Sequence, residues 1–268
     1  MCRMAAYLGP EAPLSTLLLD PPHSLERQSY QPREMLSGTV NVDGTGIAWW
    51  NGEDNEPFLY ASDKPPWSDT NVLRLAPRLR GTCQLTAVRS ATPGLAAGAG
   101  AAAPFVHEGL ALAHNGYVER FREELVEPLL AGLDARALGT IDVLTDSTAL
   151  FARMVDLRLR EPALALDALA EHTLQEIDAI CSSRGVRAQL NVIVATKSRV
   201  VALRHGLGLA PNTLYALNGG KGWPGALVIA SEPLDEDTSW TPLPPDTLTI
   251  MDERGQQTRP LAAKGSAP

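Results

Sequence analysis

Cysteine is scarce in this chain: 268 residues carry three, Cys2, Cys83 and Cys181. They form no CxxC pair and cannot all be bridged, which excludes a disulfide-built scaffold and suits a reducing compartment. Long apolar runs are missing too. Nothing approaches the ~20 residues a membrane helix needs. Leu17-Leu18-Leu19 stops at Asp20 before Pro21-Pro22, without the small-residue cleavage site of a signal peptide. Residence in the cytoplasm, with no membrane as partner, is the expectation. Nor is there a stripe of Lys and Arg: the formal net charge is -8, acids and bases are interspersed, and nucleic acid is not an expected partner. The five histidines (His23, His107, His114, His172, His205) show no ligand spacing such as HxxxH, so neither metal nor cofactor is expected.

What is present is an ordinary globule, 44% hydrophobic and 20% charged, of a length that fits one large domain around one substantial core. Strand-like runs come first. Val40 to Asp63 reads as a hairpin, with Ile47–Trp50 and Phe58–Ala61 flanking the turn-rich Asn51–Pro57. Gln84–Val88 reads as a strand, and Phe105–Val106 and Leu110–Ala113 as a pair around Glu108-Gly109. Between them, Pro93–Pro104 is almost all Ala and Gly and reads as a mobile loop. Helical spacing follows in Val118, Phe121, Leu125 and Leu129, in Ser147–Leu159, and in Leu166, Leu169, Thr173, Leu174, Ile177 and Ile180 up to a stop at Gly185. Strands return at Gln189–Ala195, Arg199–Arg204, Ala226–Ala230 and Thr247–Met251. Strands and helices in separate blocks predict an α+β fold, compatible with two stacked sheets covered by helices. The domain is expected over residues 2–254, with a loose tail over 255–268. Cys83, in an apolar strand, and Cys181, at the end of an amphipathic pattern, read as buried small hydrophobes.

Cys2 reads differently. Removal of Met1 would leave a cysteine whose own α-amine, with a pKa near ~7.7–8.0, can take the thiol proton and produce a nucleophile without histidine. Arg89, in Val88-Arg89-Ser90-Ala91-Thr92-Pro93, offers a planar fork to a carboxylate, or a surface salt bridge. Asn115-Gly116, after His114, is either a turn or an oxyanion hole made by the Asn amide and the Gly N–H. Asp146, in Thr145-Asp146-Ser147-Thr148, is either a helix N-cap or a partner for an α-ammonium.

Taken in order, these motifs resemble the class II glutamine amidotransferases, a branch of the N-terminal-nucleophile hydrolases. Asn41-Val42-Asp43-Gly44-Thr45-Gly46 and Ala230-Ser231-Glu232-Pro233 extend the likeness from about Cys2 to Pro233. The resemblance implies a four-layer αββα sandwich of two antiparallel sheets. It also implies catalytic roles for Cys2 and for Asn115 and Gly116 as oxyanion hole, with Arg89 and Thr92 on a glutamyl α-carboxylate, Asp146 on its α-ammonium and His114 as an orienting neighbour. Pro93 stands where many members carry His. Met1-Cys2-Arg3, His23-Ser24-Leu25, Arg89–Gly94, Ala103-Pro104-Phe105 and Asp146-Ser147 are similar to the stand-alone γ-glutamyl-hercynylcysteine sulfoxide hydrolases of ergothioneine biosynthesis. That similarity implies a small-molecule γ-glutamyl substrate whose amide is hydrolysed with release of glutamate. The alternatives are a glutaminase subunit supplying ammonia to a separate synthetase, or an inactive binding protein of the same fold. The oligomeric state, a homo-oligomer included, is left open. For a trimethylammonium-bearing leaving group, Tyr30, Trp49, Trp50 and Trp67 are the aromatic candidates. The Ala/Gly loop Leu95–Ala103 is either a cover for the substrate or a slack insertion.

Overall fold

A computed structural model describes residues 2–35, 40–52, 54–91 and 98–262. The strands in chain order are β1 (Arg3–Pro13), β2 (Thr45–Trp50), β3 (Phe58–Ser62), β4 (Arg80–Val88), β5 (Phe105–His107), β6 (Leu110–Val118) and β7 (Ala188–Thr196). After them come β8 (Arg199–Arg204), β9 (Gly206–Leu207), β10 (Tyr215–Asn218), β11 (Leu227–Ala230), β12 (Thr241–Pro242), β13 (Thr247–Asp252) and β14 (Gly255–Pro260). The helices are α1 (Ser15–Leu18), α2 (Leu25–Tyr30), α3 (Thr70–Leu75), α4 (Val126–Leu130), α5 (Ala135–Leu138), α6 (Asp146–Arg160) and α7 (Leu166–Ser183).

Two antiparallel sheets form. The first runs β12-β10-β11-β1-β4-β2-β3 and the second β14-β13-β8-β7-β6-β5, with β9 against β7. Side chains in a strand point alternately to opposite faces, and that alternation sorts the apolar residues into three cores. Met4 and Ala6 of β1, Leu85 and Ala87 of β4, Ala111 and Ala113 of β6, and Ile193 and Ala195 of β7 meet between the sheets. The opposite parity of the first sheet, Ala5 and Tyr7 with Ile47 and Val228, packs on Leu17, Leu18 and Leu25 from α1 and α2. The opposite parity of the second, Leu110 and Leu112 with Leu190, Val192 and Val194, packs on α6 and α7. The result is the α+β four-layer αββα sandwich. Each fully buried aliphatic side chain contributes about 1.5–3 kcal/mol of transfer free energy, so burying both faces of each sheet is what holds the layers together.

Most of the expected elements are present, and the differences are instructive. The hairpin β2–β3 pairs Thr45 with Ser62 through Trp49 with Phe58. The β5–β6 turn uses Glu108 at φ 43° and Gly109 at φ 78°. The helix expected from Val118 does not start there. Val118 ends β6, paired with Ala188, and Arg120 adopts φ 46° before a π-type turn over Phe121–Leu125 leads into α4. An apolar residue closing a strand and apolar residues opening a helix share one spacing, so periodicity alone merges them. The tail expected from Gly255 is ordered as far as Pro260. Thr247 through Asp252 pair with Pro260 through Gly255, because the edge of β13 would otherwise expose its unpaired backbone. β1, central in its sheet, has Gly9, Pro10 and Pro13 in its second half, which hid it from a reading by strand propensity. The Gly/Ala segment Pro93–Pro104 lies partly outside the described residues; from Gly98 it is ordered, with a short 3₁₀ turn at Ala99–Ala101. Cys83 and Cys181 are buried. Among the described residues, no helix is long and apolar enough to cross a membrane.

Candidate active site

The alternation that builds the inter-sheet core also aims the functional side chains. Cys2 continues the parity of Met4 and Ala6, and Arg89 that of Leu85 and Ala87, so both extend the inter-sheet face at one end of the sandwich. The antiparallel pairing of Arg3 with Val88 puts the start of β1 beside the end of β4. The second sheet contributes β6, and α6 begins alongside. Cys2, Arg89, Ser90, His114, Gly116 and Asp146 thereby share one cleft.

Cys2 is half-buried, and its thiol faces the Ser90 carbonyl with Sγ–O 3.8 Å. Arg89 is held by a reciprocal backbone pair. Its N–H donates to the Gly44 carbonyl at 2.8 Å, and its carbonyl accepts from Asp43 N at 3.0 Å. The Asp43 carboxylate then accepts from Ala91 N at 2.7 Å and fixes the rim. The glycines of this turn have a steric purpose. A Cβ on Gly46 would lie 2.2 Å from the Ala103 carbonyl oxygen, so only glycine lets β2 pass beneath the Ala101–Ala103 wall of the cleft. Thr92, expected beside Arg89, lies outside the described residues.

His114, Asn115 and Gly116 are in β6, not in a turn. Asn115 pairs with Asn191 and Gly116 with Leu190 of β7. Parity separates them. Asn115 shares the inter-sheet face with Ala111 and Ala113, whereas His114 faces α6. The His114 ring is held at both nitrogens, Nε2 by the Gln189 carbonyl at 3.1 Å and Nδ1 by Ser147 Oγ at 2.9 Å. A carbonyl only accepts, so Nε2 carries a proton; in the neutral ring the Ser147 hydroxyl donates to Nδ1. Gly116 has no room for a side chain: a Cβ would stand 1.8 Å from the Gln189 oxygen and 2.1 Å from His114 Nε2. Asn115 is fully buried behind the cleft wall, its Nδ2 3.4 Å from Ser231 Oγ.

Asp146 was the ambiguous member, cap or ligand. The cap of α6 is Thr145, which forms a capping box with Thr148 (Thr148 N to Thr145 Oγ1 3.1 Å, Thr145 N to Thr148 Oγ1 2.8 Å). Asp146 is the first helical residue. Its carboxylate lines the cleft, accepts from Ser147 N at 2.8 Å and Val118 N at 3.3 Å, and gains from the positive end of the helix. An arginine on one wall and an aspartate on another are the complement of a zwitterionic α-amino acid.

On the opposite face of β1 lies a charged cluster that the sequence reading did not single out. Glu232, fully buried, accepts from His23 Nε2 at 2.7 Å, Arg33 N at 2.8 Å and Glu34 N at 3.0 Å, and pairs with the buried Arg3 at 3.3 Å. Burial alone would push the Glu232 carboxyl up. The bonds from His23 and the two backbone N–H groups, with the Arg3 charge, outweigh it and hold it below the usual range. Arg3 is pulled down by burial, partly offset by Glu232. Of the four aromatic candidates, Trp49 and Trp50 are committed to packing. Tyr30 and Trp67 remain exposed, edge to face at 5.2 Å, with the Arg27 guanidinium 5.3 Å from the Tyr30 ring centre. Among the described residues, no three His, Cys, Asp or Glu side chains are grouped so as to hold a metal ion.

No protein-family model matches the chain. Known structures share its architecture. It superposes on the glutamine aminotransferase class-II domain protein of Silicibacter pomeroyi with a TM-score of 0.71 at 20% identity, covering 98% of this chain and 100% of that one. It also superposes on the glutamine phosphoribosylpyrophosphate amidotransferase of B. subtilis with a TM-score of 0.64 at 16% identity, covering 98% of this chain and 50% of that one. These place it in the N-terminal-nucleophile fold of the class II amidotransferases. Curated relatives are closer in sequence. The gamma-glutamyl-hercynylcysteine sulfoxide hydrolase of Mycobacterium tuberculosis is 35% identical over 95% of this chain and 94% of its own length. That of Mycolicibacterium smegmatis is 36% identical over 91% and 92%. The chain belongs to this family of hydrolases.

Proposed function

We propose that the protein hydrolyses the γ-glutamyl amide of a γ-glutamyl-hercynylcysteine sulfoxide, releasing glutamate, with Cys2 as nucleophile. The observation that carries this reading is the single cleft shared by Cys2, Arg89 and Asp146, which puts a thiol, a cation and an anion in one lining. In it the glutamyl α-carboxylate meets the Arg89 fork and the α-ammonium meets Asp146, which leaves the γ-carbonyl toward Cys2. With Met1 removed, the Cys2 α-amine takes the thiol proton. The thiolate attacks the γ-carbon, forming the C–S bond, and the oxyanion is met by the Gly116 N–H and the Asn115 amide. Collapse breaks the C–N bond as the α-ammonium returns its proton to the leaving amine. Water then cleaves the thioester, yielding glutamate and the free thiol. His114, held at both ring nitrogens by Gln189 and Ser147, supports the strand and takes no proton in this scheme.

The reading as a glutaminase subunit has one observation of its own: the chain matches only half the length of the B. subtilis amidotransferase. One assay separates the two. The purified protein is expected to turn over a γ-glutamyl conjugate with a higher kcat/KM than free glutamine, through a glutamyl thioester on Cys2 visible by intact mass after acid quench. Equal or better use of glutamine would favour the subunit reading, and a retained Met1 on an active enzyme would rule out the amine as base.

A further inference from the structure

Behind the cleft, Asn115 is enclosed by a neutral hydrogen-bond network that reaches both sheets. Asn212, on the loop between β9 and β10, is buried. Its Nδ2 stands 3.1 Å from the Asn115 main-chain oxygen and 3.3 Å from Asn115 Oδ1. The orientation of both amides follows from chemistry. A main-chain carbonyl can only accept, so the end of Asn212 that faces it is the NH₂. That NH₂ also faces the Asn115 side chain, which must therefore turn its oxygen to Asn212 and its own NH₂ the other way. There, Asn115 Nδ2 meets Ser231 Oγ at 3.4 Å, and Ser231 Oγ also accepts from Met4 N at 3.0 Å, two residues from Cys2.

The Asn212 backbone is pinned, its carbonyl accepting from Asn191 Nδ2 at 2.9 Å and Arg204 Nε at 2.8 Å, which fixes the point from which its buried side chain reaches Asn115. Of the Asn212 amide, the donor end is the one that faces Asn115.

We infer that Asn212 is a positioning residue: it fixes the rotamer and amide sense of Asn115 so that the Asn115 NH₂, not its carbonyl oxygen, is presented toward the γ-carbonyl oxygen bound at Cys2. This rests on the reading of Asn115 as an oxyanion donor. An amide free to flip would spend part of its time with a lone pair facing the developing negative charge, which is repulsive. Donors held in place before reaction need no reorganisation in the transition state.

The test uses full-length protein and a γ-glutamyl amide substrate. Asn212→Leu, of similar volume and without a donor, is expected to lower kcat roughly ten- to hundredfold with KM within about twofold, since one oxyanion donor is worth ~10²–10³ and is only partly misaligned. Asn212→Asp, which presents two acceptors to Asn115, guards against misfolding of the apolar variant and is expected to lower kcat at least as far. Alkylation of Cys2 by iodoacetamide needs the thiolate and no oxyanion hole, so its rate should stay at the wild-type value in both. In an Asn115→Ala background, neither substitution should lower kcat further, because the route to the oxyanion is already cut. An unchanged kcat in both Asn212 variants, a parallel loss of alkylation, or an additive loss in the Asn115→Ala background overturns the positioning role. An Asn115→Ala enzyme with wild-type kcat overturns the oxyanion reading itself, and the inference with it.

Discussion

The two faces of β1 carry opposite kinds of buried polarity within two residues of each other. Toward the second sheet, behind Cys2, Asn115, Asn212 and Ser231 form a network of neutral amides and a hydroxyl. Toward the outer helices, Arg3, Glu232 and His23 form a charged cluster that ties β1 to the segment before α2 and to the backbone of Arg33 and Glu34. A neutral network sets directions without a strong field of its own, which suits a place where a transient negative charge must be met by fixed dipoles. A charged cluster is costly to bury and more costly to break, so it behaves as a staple. Alternation along one strand turns the staple and the nucleophile to opposite faces.

Four outcomes break or sharpen that contrast. The largest belongs to the inter-sheet face: Cys2→Ala is expected to abolish turnover while leaving the circular dichroism spectrum and melting temperature unchanged. Residual γ-glutamyl hydrolysis in a pure sample would show that the nucleophile lies elsewhere. On the outer face, Glu232→Ala should unfold about 3–5 kcal/mol more easily in urea, because Arg3 is left buried without its counter-charge. A stability loss under about 1 kcal/mol, the range of exposed ion pairs, would mean that the cluster is no staple.

The third outcome is a pH dependence. The Glu232 carboxyl is depressed in the fold, so its stabilisation is present above the unfolded glutamate value of ~4.3 and is lost as pH falls through the folded value. Wild type should therefore lose stability in acid more steeply than Glu232→Gln, as read from urea midpoints between about pH 6 and pH 3. Parallel midpoint curves would contradict the depressed carboxyl.

The smallest effect belongs to a cluster at the end of β8, in the second sheet. His205 sits between Asp246, Nδ1–Oδ1 2.7 Å, and Asp178, Nε2–Oδ2 3.0 Å. Burial pulls its pKa down, but the two carboxylates outweigh it and raise the ring above the ordinary value. Its contribution is fully present below the unfolded value of ~6.5 and lost as pH rises through the folded one. His205→Gln should flatten that alkaline decline and leave kcat within about twofold, since His205 does not line the cleft. A large kcat loss would show that this cluster reaches the network around Asn212.

Much of this is legible in the sequence. Strand and helix blocks, the β2–β3 hairpin and helices α6 and α7 follow from periodicity and turn residues. Cys2, Arg89, Gly116 and Asp146, each weak alone, do line one cleft. Other parts were not readable. Asn115-Gly116 has the composition of a turn yet lies in β6, because sheet pairing with Asn191 and Leu190 overrides local propensity. Asp146 has the composition of a cap, but Thr145 takes that place and frees the carboxylate for the cleft. Asn212 lies in no motif, and Arg3 and Ser147 lie in motifs that assign them no role; only their neighbours in space do.

The sequence by itself determined the α+β class, most of the elements and the residue types of the site, because alternation and helical period are local properties that survive as a written pattern. Only the tertiary structure decided which way those residues point: that Asn115 faces between the sheets while His114 faces α6, that Trp49 and Trp50 are core while Tyr30 and Trp67 stay exposed, and that Asn212 reaches Asn115 across 97 positions of chain. The physical reason is that hydrogen bonds and close contacts depend on distances of a few ångströms between strands far apart in sequence. No local pattern encodes those distances until both sheets have packed.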